Sequence, residues 1–363
     1  MATIDQALPD PDKLEQFVFR ALEEVGATLN AALVVMGDRL GLYRGLAGAG
    51  ALTPSELAAR TGTAERYVRE WLNAQAAGGY VDYHPAEGAY SLPPEQAVVF
   101  CDEDSPAYLP GLFQNALGSV LDSPRITDAA RTGAGVGWHQ HNHHVHDGCE
   151  RFFRPGYSAN LVASWLPALD GVVERLQRGA RVADVGCGHG ASTILMAQAF
   201  PESTFVGSDY HAGSIETARR RAEQAGVADR IRFEVEPAAA YTGEGYDLVT
   251  MFDCLHDMGD PVGAARHVLG TLAPDGTWMI VEPAAGDRVE DNLFVPQGDL
   301  YRRVEETHVL RLYPPDEMDA LLTRVGFTWE RLRRYDGFEL RPGWHAYAAK
   351  KAARPASTCG NAR

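Results

Sequence analysis

Apolar residues recur at helical spacing along the first fifty positions, with Phe17, Leu22, Val25, Leu29, Leu33 and Val34 on one repeating stripe. This predicts long helical segments over residues 13–46. "LTPSELAARTG" follows, where Thr53 or Ser55 caps a helix start and Gly62 ends it. "TAERYVREWLNAQAAGGYV" gives another helix, closed at Gly78 and Gly79. In "YVDYHPAEGAYSL" the period changes to two, with a turn at Pro85 to Gly88 and a returning strand. Helix, turn, helix and hairpin together form a winged-helix pattern.

Beyond residue 165 the pattern changes to short apolar runs alternating with helical stretches. Strands are predicted over 181–185, 204–208, 231–236, 246–252 and 277–283, and "RLRRYDGFELRPGWHAYAAKK" reads as a terminal hairpin. Such alternation predicts a mostly parallel α/β sheet. The expected organisation is a winged-helix and dimerisation domain over 1–110, a linker and cap over 111–165, an α/β domain over 166–350 and a polar tail over 351–363. Length agrees with two domains, since 363 residues is about twice the usual domain of roughly 150.

The formal net charge of −16 argues against broad binding to nucleic acid and against docking on an anionic membrane. The second helix of the winged unit carries Glu65, Arg66, Arg69 and Glu70, whose charges cancel. A DNA reader would place a basic helix there. Five scattered cysteines, none at zinc-ribbon or CxxC spacing, fit a reducing cytoplasm. No apolar run is long enough for a bilayer.

The chemistry concentrates in two segments. In "DVGCGHG" a strand ends at Asp184, then Gly186 and Gly188 lie in a tight turn before a helix. Glycines there let the backbone approach a ligand, and the helix start favours anionic groups. The next strand ends at Asp209 and Tyr210, and an acid at that point suits the two hydroxyls of a ribose. The spacing Gly186-x-Gly188-x-x-Ala191 also fits a dinucleotide fingerprint. An acid two residues before the first glycine disfavours a pyrophosphate, and it can meet the ammonium of a methionine moiety instead. That favours S-adenosylmethionine (SAM). The second segment, "FDCLHDMGDP", puts His256 and Asp257 just after a strand end, where ligands of such sheets bind.

"DVGCGHG", "FVGSDY", "YDLVTMFDCLHDMGD" and "LAPDGTWMIVEP" together resemble class I SAM-dependent methyltransferases. "GCERFFRPGY", "DYHAGSIETARRRA" and the winged-helix front end resemble a bacterial two-domain subgroup. The resemblance implies a Rossmann-like sheet with an antiparallel last strand, SAM as cofactor, and a homodimer formed through the N-terminal helices. It assigns Asp184, Gly186, Gly188, Asp209, Tyr210, Phe252 and Asp253 to the cofactor. Many members place a further acid after the third strand; here only Glu236 is nearby. Plant phenolic O-methyltransferases have the same plan, with a histidine base matching His256 and an orienting glutamate matching Glu282. Their further glutamate has no placed counterpart in "THVLRLYPPDEMDALL".

The expected function is therefore O- or C-methylation of a small-molecule acceptor of secondary metabolism, with His256, Asp257 and Glu282 at the reacting end. Two alternatives stay open. Iron-dependent C-methyltransferases of 2-oxo acids also resemble this plan, and His256, Asp257 and His308 form a candidate iron or zinc site. The other is a SAM-binding transcriptional regulator. The stretch "WHQHNHHVH" holds five of the twelve histidines. On one helix His139 and His143 would share a face, but no acid or cysteine at matching spacing completes a zinc site except Asp147 and Cys149. The expectation is a linker helix and cap, with Trp138 and His139 facing the acceptor and the other histidines solvated. Tyr157 and Tyr301 complete the expected acceptor lining.

Overall fold

The computed structural model describes residues 8–283, 288, 315–332 and 344–351. They divide into two compact units: residues 8–121 with 142–152, and residues 122–141 with the chain from 153 onward. The segment 111–165 is thus shared between them.

The first unit opens with a helix over Pro11–Arg39, whose start is capped by the Asp10 carboxylate accepting the Asp12 N–H at 3.0 Å. Short helices follow at Leu42–Leu46, Pro54–Thr61 and Glu65–Ala77. Thr53 and Glu56 form a reciprocal cap at the start of the third, a device worth about 1 kcal/mol. The hairpin pairs β1 (Asp82–His84) with β2 (Ala89–Ser91). Val34, Leu42, Leu46, Leu57, Val68, Trp71 and Leu72 form the core beneath it. The long first helix contributes only its C-terminal part to that core. Leu14, Phe17, Leu22, Val25 and Leu29, on its N-terminal part, are exposed.

A helix over Pro110–Thr132 leads to a single 3-10 turn, Trp138–Gln140, and then to a helix over His143–Asn160. His139 and His143 therefore do not share a helix face. The expectation that the remaining histidines are solvated is also corrected. His141 and His144 are both buried. Within the second unit, His141 Nδ1 lies 2.9 Å from the Asp122 carboxylate. Within the first, Arg39 donates to His144 Nδ1 at 3.0 Å. A ring nitrogen leaves water without great cost when a partner replaces the water, and both rings have one.

The second unit is built on a seven-stranded sheet of order β5-β4-β3-β6-β7-β9-β8. Its strands are β3 (Arg181–Val185), β4 (Thr204–Asp209), β5 (Ile231–Val235), β6 (Tyr246–Phe252), β7 (Leu272–Pro283), β8 (Phe327–Leu332) and β9 (Trp344–Lys351). Strands β3 to β7 pair in parallel; β9 runs antiparallel to both β7 and β8. Both faces are covered, which is why the central strands read as unbroken apolar runs. Val182, Leu248 and Phe205 pack on one side, and Val185, Val249 and Ile280 on the other. The strand order reverses at β3, between β4 and β6. In such sheets the crevice at the carboxyl ends beside the reversal holds the ligand. Among the described residues no helix is long and apolar enough to cross a membrane.

Candidate active site

The carboxyl end of β3 leads through Gly186 to Gly190 into a helix over Ala191–Ala199. Gly186 has φ +74°, and a Cβ there would lie 2.6 Å from Cys254 Sγ. Only glycine fits this turn without strain. Gly188, at φ +51°, has open space where a Cβ would stand. Its N–H donates to Asp209 Oδ2 at 3.0 Å. The other oxygen of Asp209 accepts the His211 N–H at 2.8 Å. Asp209 thus joins the glycine loop to the end of β4. Burial pushes its carboxyl up, while these two N–H donors hold it back.

Asp184 is engaged by groups of the protein itself. It is buried, and its carboxylate accepts the hydroxyls of Ser192 and Thr193 at 2.6 Å and of Thr250 at 2.8 Å. Burial raises its carboxyl, and the three hydroxyls oppose that rise. So enclosed, the group clamps β3, β6 and the first turn of the next helix. Ser192 and Thr193 directly follow the glycine loop, a signal that sequence reasoning passed over. Thr250 comes from a strand 66 residues away and carried no signal of its own.

Phe252 ends β6 and packs against Tyr157 and Trp165, with ring centroids 5.5 and 6.0 Å away. Tyr157 is therefore placed beside Phe252, and Trp165 joins a cluster in which it was not foreseen. Asp253 follows with φ +54°, the one non-glycine residue at positive φ among those described. Its N–H donates to the Val281 carbonyl at 2.8 Å. This conformation costs on the order of 1 kcal/mol, and it turns the chain sharply into Cys254 to Asp257. Tyr210 is exposed, and His139 stands edge-on to its ring at 5.9 Å.

His256 and Glu282 are both buried and meet through Nδ1 and Oε2. The other oxygen of Glu282 accepts the backbone N–H groups of Leu255 at 2.9 Å and Cys254 at 3.3 Å. One glutamate at the end of β7 thus fixes both the loop after β6 and the ring that it carries. A carboxylate only accepts, so Nδ1 bears the proton and Nε2 keeps a lone pair. Asp257 Oδ1 stands 3.4 Å from that Nε2. Two acceptors do not bond, so this contact becomes attractive once Nε2 gains a proton.

The nearby thiols are not equipped to act as nucleophiles. Burial pushes Cys187 well up, aided by Asp209 and Asp184, and does the same to Cys254, aided by Glu282 and Asp253. Among the described residues no cluster of His, Cys, Asp and Glu is arranged to hold a metal. His308 and Tyr301 lie outside the described residues. In the winged unit Arg66 pairs with Glu70 at 3.3 Å, and Arg69 with Glu65.

Residues 157–332 match the family model described as a methyltransferase domain, and residues 28–101 match the Rv2258c-like winged HTH domain. The chain thus carries a methyltransferase domain behind a winged helix-turn-helix domain, and in this plan it is similar to two-domain class I SAM-dependent methyltransferases. The ubiquinone biosynthesis O-methyltransferase of Bordetella avium is 28% identical over 212 residues, which are 55% of this chain and 80% of that protein. An uncharacterised protein of Synechococcus is 34% identical over 113 residues, 30% of this chain, and the match spans only 27% of that relative's length. Human N-acetylserotonin methyltransferase, solved in complex with SAM, superposes with a TM-score of 0.67 at 16% identity. That match covers 97% of this chain and 100% of the human one. At such identity the likeness is one of fold.

SAM is the cofactor of this class, and the residues present fit it. The turn at Gly188 has open space where a side chain would stand, and Asp209 accepts, as a ribose diol requires. Phe252, Tyr157 and Trp165 offer an apolar wall.

Proposed function

We propose that this protein methylates an oxygen of a small hydroxylated acceptor, with His256 as the base and Glu282 as the residue that orients it. The buried His256–Glu282 pair carries this reading. The bound cofactor supplies an electrophilic methyl group whose leaving group is a neutral thioether. What the protein must add is alignment and removal of one proton. The acceptor hydroxyl gives its proton to His256 Nε2 as the new O–C bond forms. The negative charge of Glu282 then offsets the positive charge gained by the ring. Asp257, 3.4 Å from Nε2, stabilises the same charge. Trp138, His139 and Tyr157 line the acceptor side, while Asp209, Gly186, Gly188 and Phe252 hold the cofactor.

The same reading makes the protein a cytoplasmic homodimer of secondary metabolism. Free thiols at Cys101, Cys149, Cys187 and Cys254 fit a reducing compartment. The exposed apolar stripe of the first helix fits a second copy of the chain. The similarity to the Bordetella ubiquinone biosynthesis O-methyltransferase supports oxygen as the acceptor atom.

The test is incubation of purified protein with SAM and a panel of phenols, catechols, alcohols and 2-oxo acids, scoring S-adenosylhomocysteine by mass. Turnover with hydroxylated acceptors in the presence of a chelator is expected. Turnover confined to 2-oxo acids and dependent on added iron would overturn the proposal.

A further inference from the structure

Asp184 is 1% exposed and stands two residues before Gly186. Its Oδ2 accepts the hydroxyls of Ser192 and Thr193 at 2.6 Å, and its Oδ1 accepts that of Thr250 at 2.8 Å. Both oxygens act as acceptors, which is the state of an ionised carboxylate. The two shorter contacts have the length, about 2.5–2.7 Å, of hydroxyls donating to a carboxylate. All three partners are neutral, and among the described residues no Lys, Arg or His side chain pairs with this acid. Hydroxyls restore only part of the hydration that a buried charge loses. Carboxylates held in this way are a feature of sites that act on ligands.

The position of the charge matters as much as its burial. Ser192 and Thr193 lie in the first turn of the helix Ala191–Ala199, so the carboxylate stands at the N-terminal end of that helix. A helix start draws an anion, and here the chain's own carboxylate takes that place. A pyrophosphate brought to Gly186 and Gly188 would meet this charge. Asp209, at the end of β4, is a second buried carboxylate, and it accepts the N–H groups of Gly188 and His211. The glycine loop therefore sits against two fixed negative charges.

We infer that Asp184 sets the charge selectivity of the cofactor site, its carboxylate favouring the sulfonium of SAM over the neutral thioether left after transfer. The inference rests on the proposed reading that SAM binds at the glycine loop. Asp184 acts through its field, since its oxygens are occupied by Ser192, Thr193 and Thr250. SAM and S-adenosylhomocysteine differ by one methyl group and one positive charge, and only the charged ligand gains from a nearby carboxylate. Transfer removes that charge, so the same carboxylate weakens the hold on the spent cofactor when it has to leave.

The experiment is calorimetric titration of SAM, S-adenosylhomocysteine and sinefungin, an analogue with an ammonium-bearing carbon in place of the methylsulfonium. Asp184→Asn removes the charge and keeps the shape. Ser192→Ala removes one hydroxyl and keeps the charge. The readout is the Kd of S-adenosylhomocysteine divided by that of SAM or of sinefungin. A loosened loop weakens all three ligands alike and leaves these ratios where they were. Asp184→Asn is expected to lower both ratios about fivefold, while Ser192→Ala leaves them unchanged. Unchanged ratios in Asp184→Asn overturn the inference. So does an equal shift in Ser192→Ala, which would assign the effect to shape. If Asp184→Asn does not fold, the wild type decides: sinefungin should bind about tenfold tighter than S-adenosylhomocysteine, and equal affinity overturns the inference. Failure of the wild type to bind any of the three would instead sink the cofactor reading beneath it.

Discussion

Glu282 decides which nitrogen of His256 is available. Replacing it with Gln keeps an oxygen for the Leu255 N–H but turns an amide N–H₂ toward Nδ1. The ring then shifts its proton to Nε2 and ceases to be a base. Glu282→Gln is therefore expected to lower kcat about 10²- to 10³-fold, like His256→Ala, with SAM affinity kept in calorimetric titration. A variant with near-normal kcat would remove His256 from the role of base. Asp209 gives a pH signature. In the proposed site its ionised form would accept ribose hydroxyls, and burial raises its carboxyl above the ordinary value. SAM affinity should hold at high pH and fall as pH drops through that raised value. Asp209→Asn should bind weakly with no such dependence, and a flat wild-type titration would contradict the assignment. Sequence made Asp209 and the glycine loop legible, because a strand end followed by a tight turn is a local pattern. It did not reveal the partners of Asp184, which include Thr250 on another strand.

Elements carry the next level of constraint. The glycine loop holds its shape because Gly186 is at φ +74° and Cys254 Sγ fills the space a Cβ would need. Gly186→Ala should weaken SAM binding at least tenfold and lower the Tm, since overpacking typically costs about 1–3 kcal/mol. The helix over His143–Asn160 is anchored in the first unit through His144. Burial pushes that imidazole down, with Arg39 and then His143 adding to the effect. A histidine depressed on folding contributes stability that is full above its unfolded value, about 6.5, and is lost as pH falls through the folded one. Melting followed from pH 8 to pH 5 should show a Tm that falls below about pH 6.5, and His144→Gln should flatten that fall. An equal slope in the variant would assign the acid sensitivity elsewhere. The periodicity of this region read as a linker helix; it did not reveal that His141 and His144 are enclosed, because their partners Asp122 and Arg39 sit on other helices.

At the scale of the whole molecule, the N-terminal helix stands out. Phe17, Leu22, Val25 and Leu29 are each more than half exposed on it. A stripe of this kind is stable in water when another surface covers it. Sedimentation velocity should find a dimer at micromolar concentration, and Phe17→Asp with Leu22→Asp should yield a folded monomer. A wild-type monomer would show that the stripe serves something else.

The sequence alone determined the order of elements and singled out the glycine loop, Asp209 and His256. These follow from local signals: hydrophobic period, turn residues, and acids or histidines placed at strand ends. Tertiary structure decided the pairings. It enclosed Asp184 among three hydroxyls, joined His256 to Glu282, tied His141 to Asp122 and set His139 edge-on to Tyr210. Whether a carboxylate binds a ligand or braces a strand depends on which donors converge on it once water is excluded, and that convergence exists only in the folded chain.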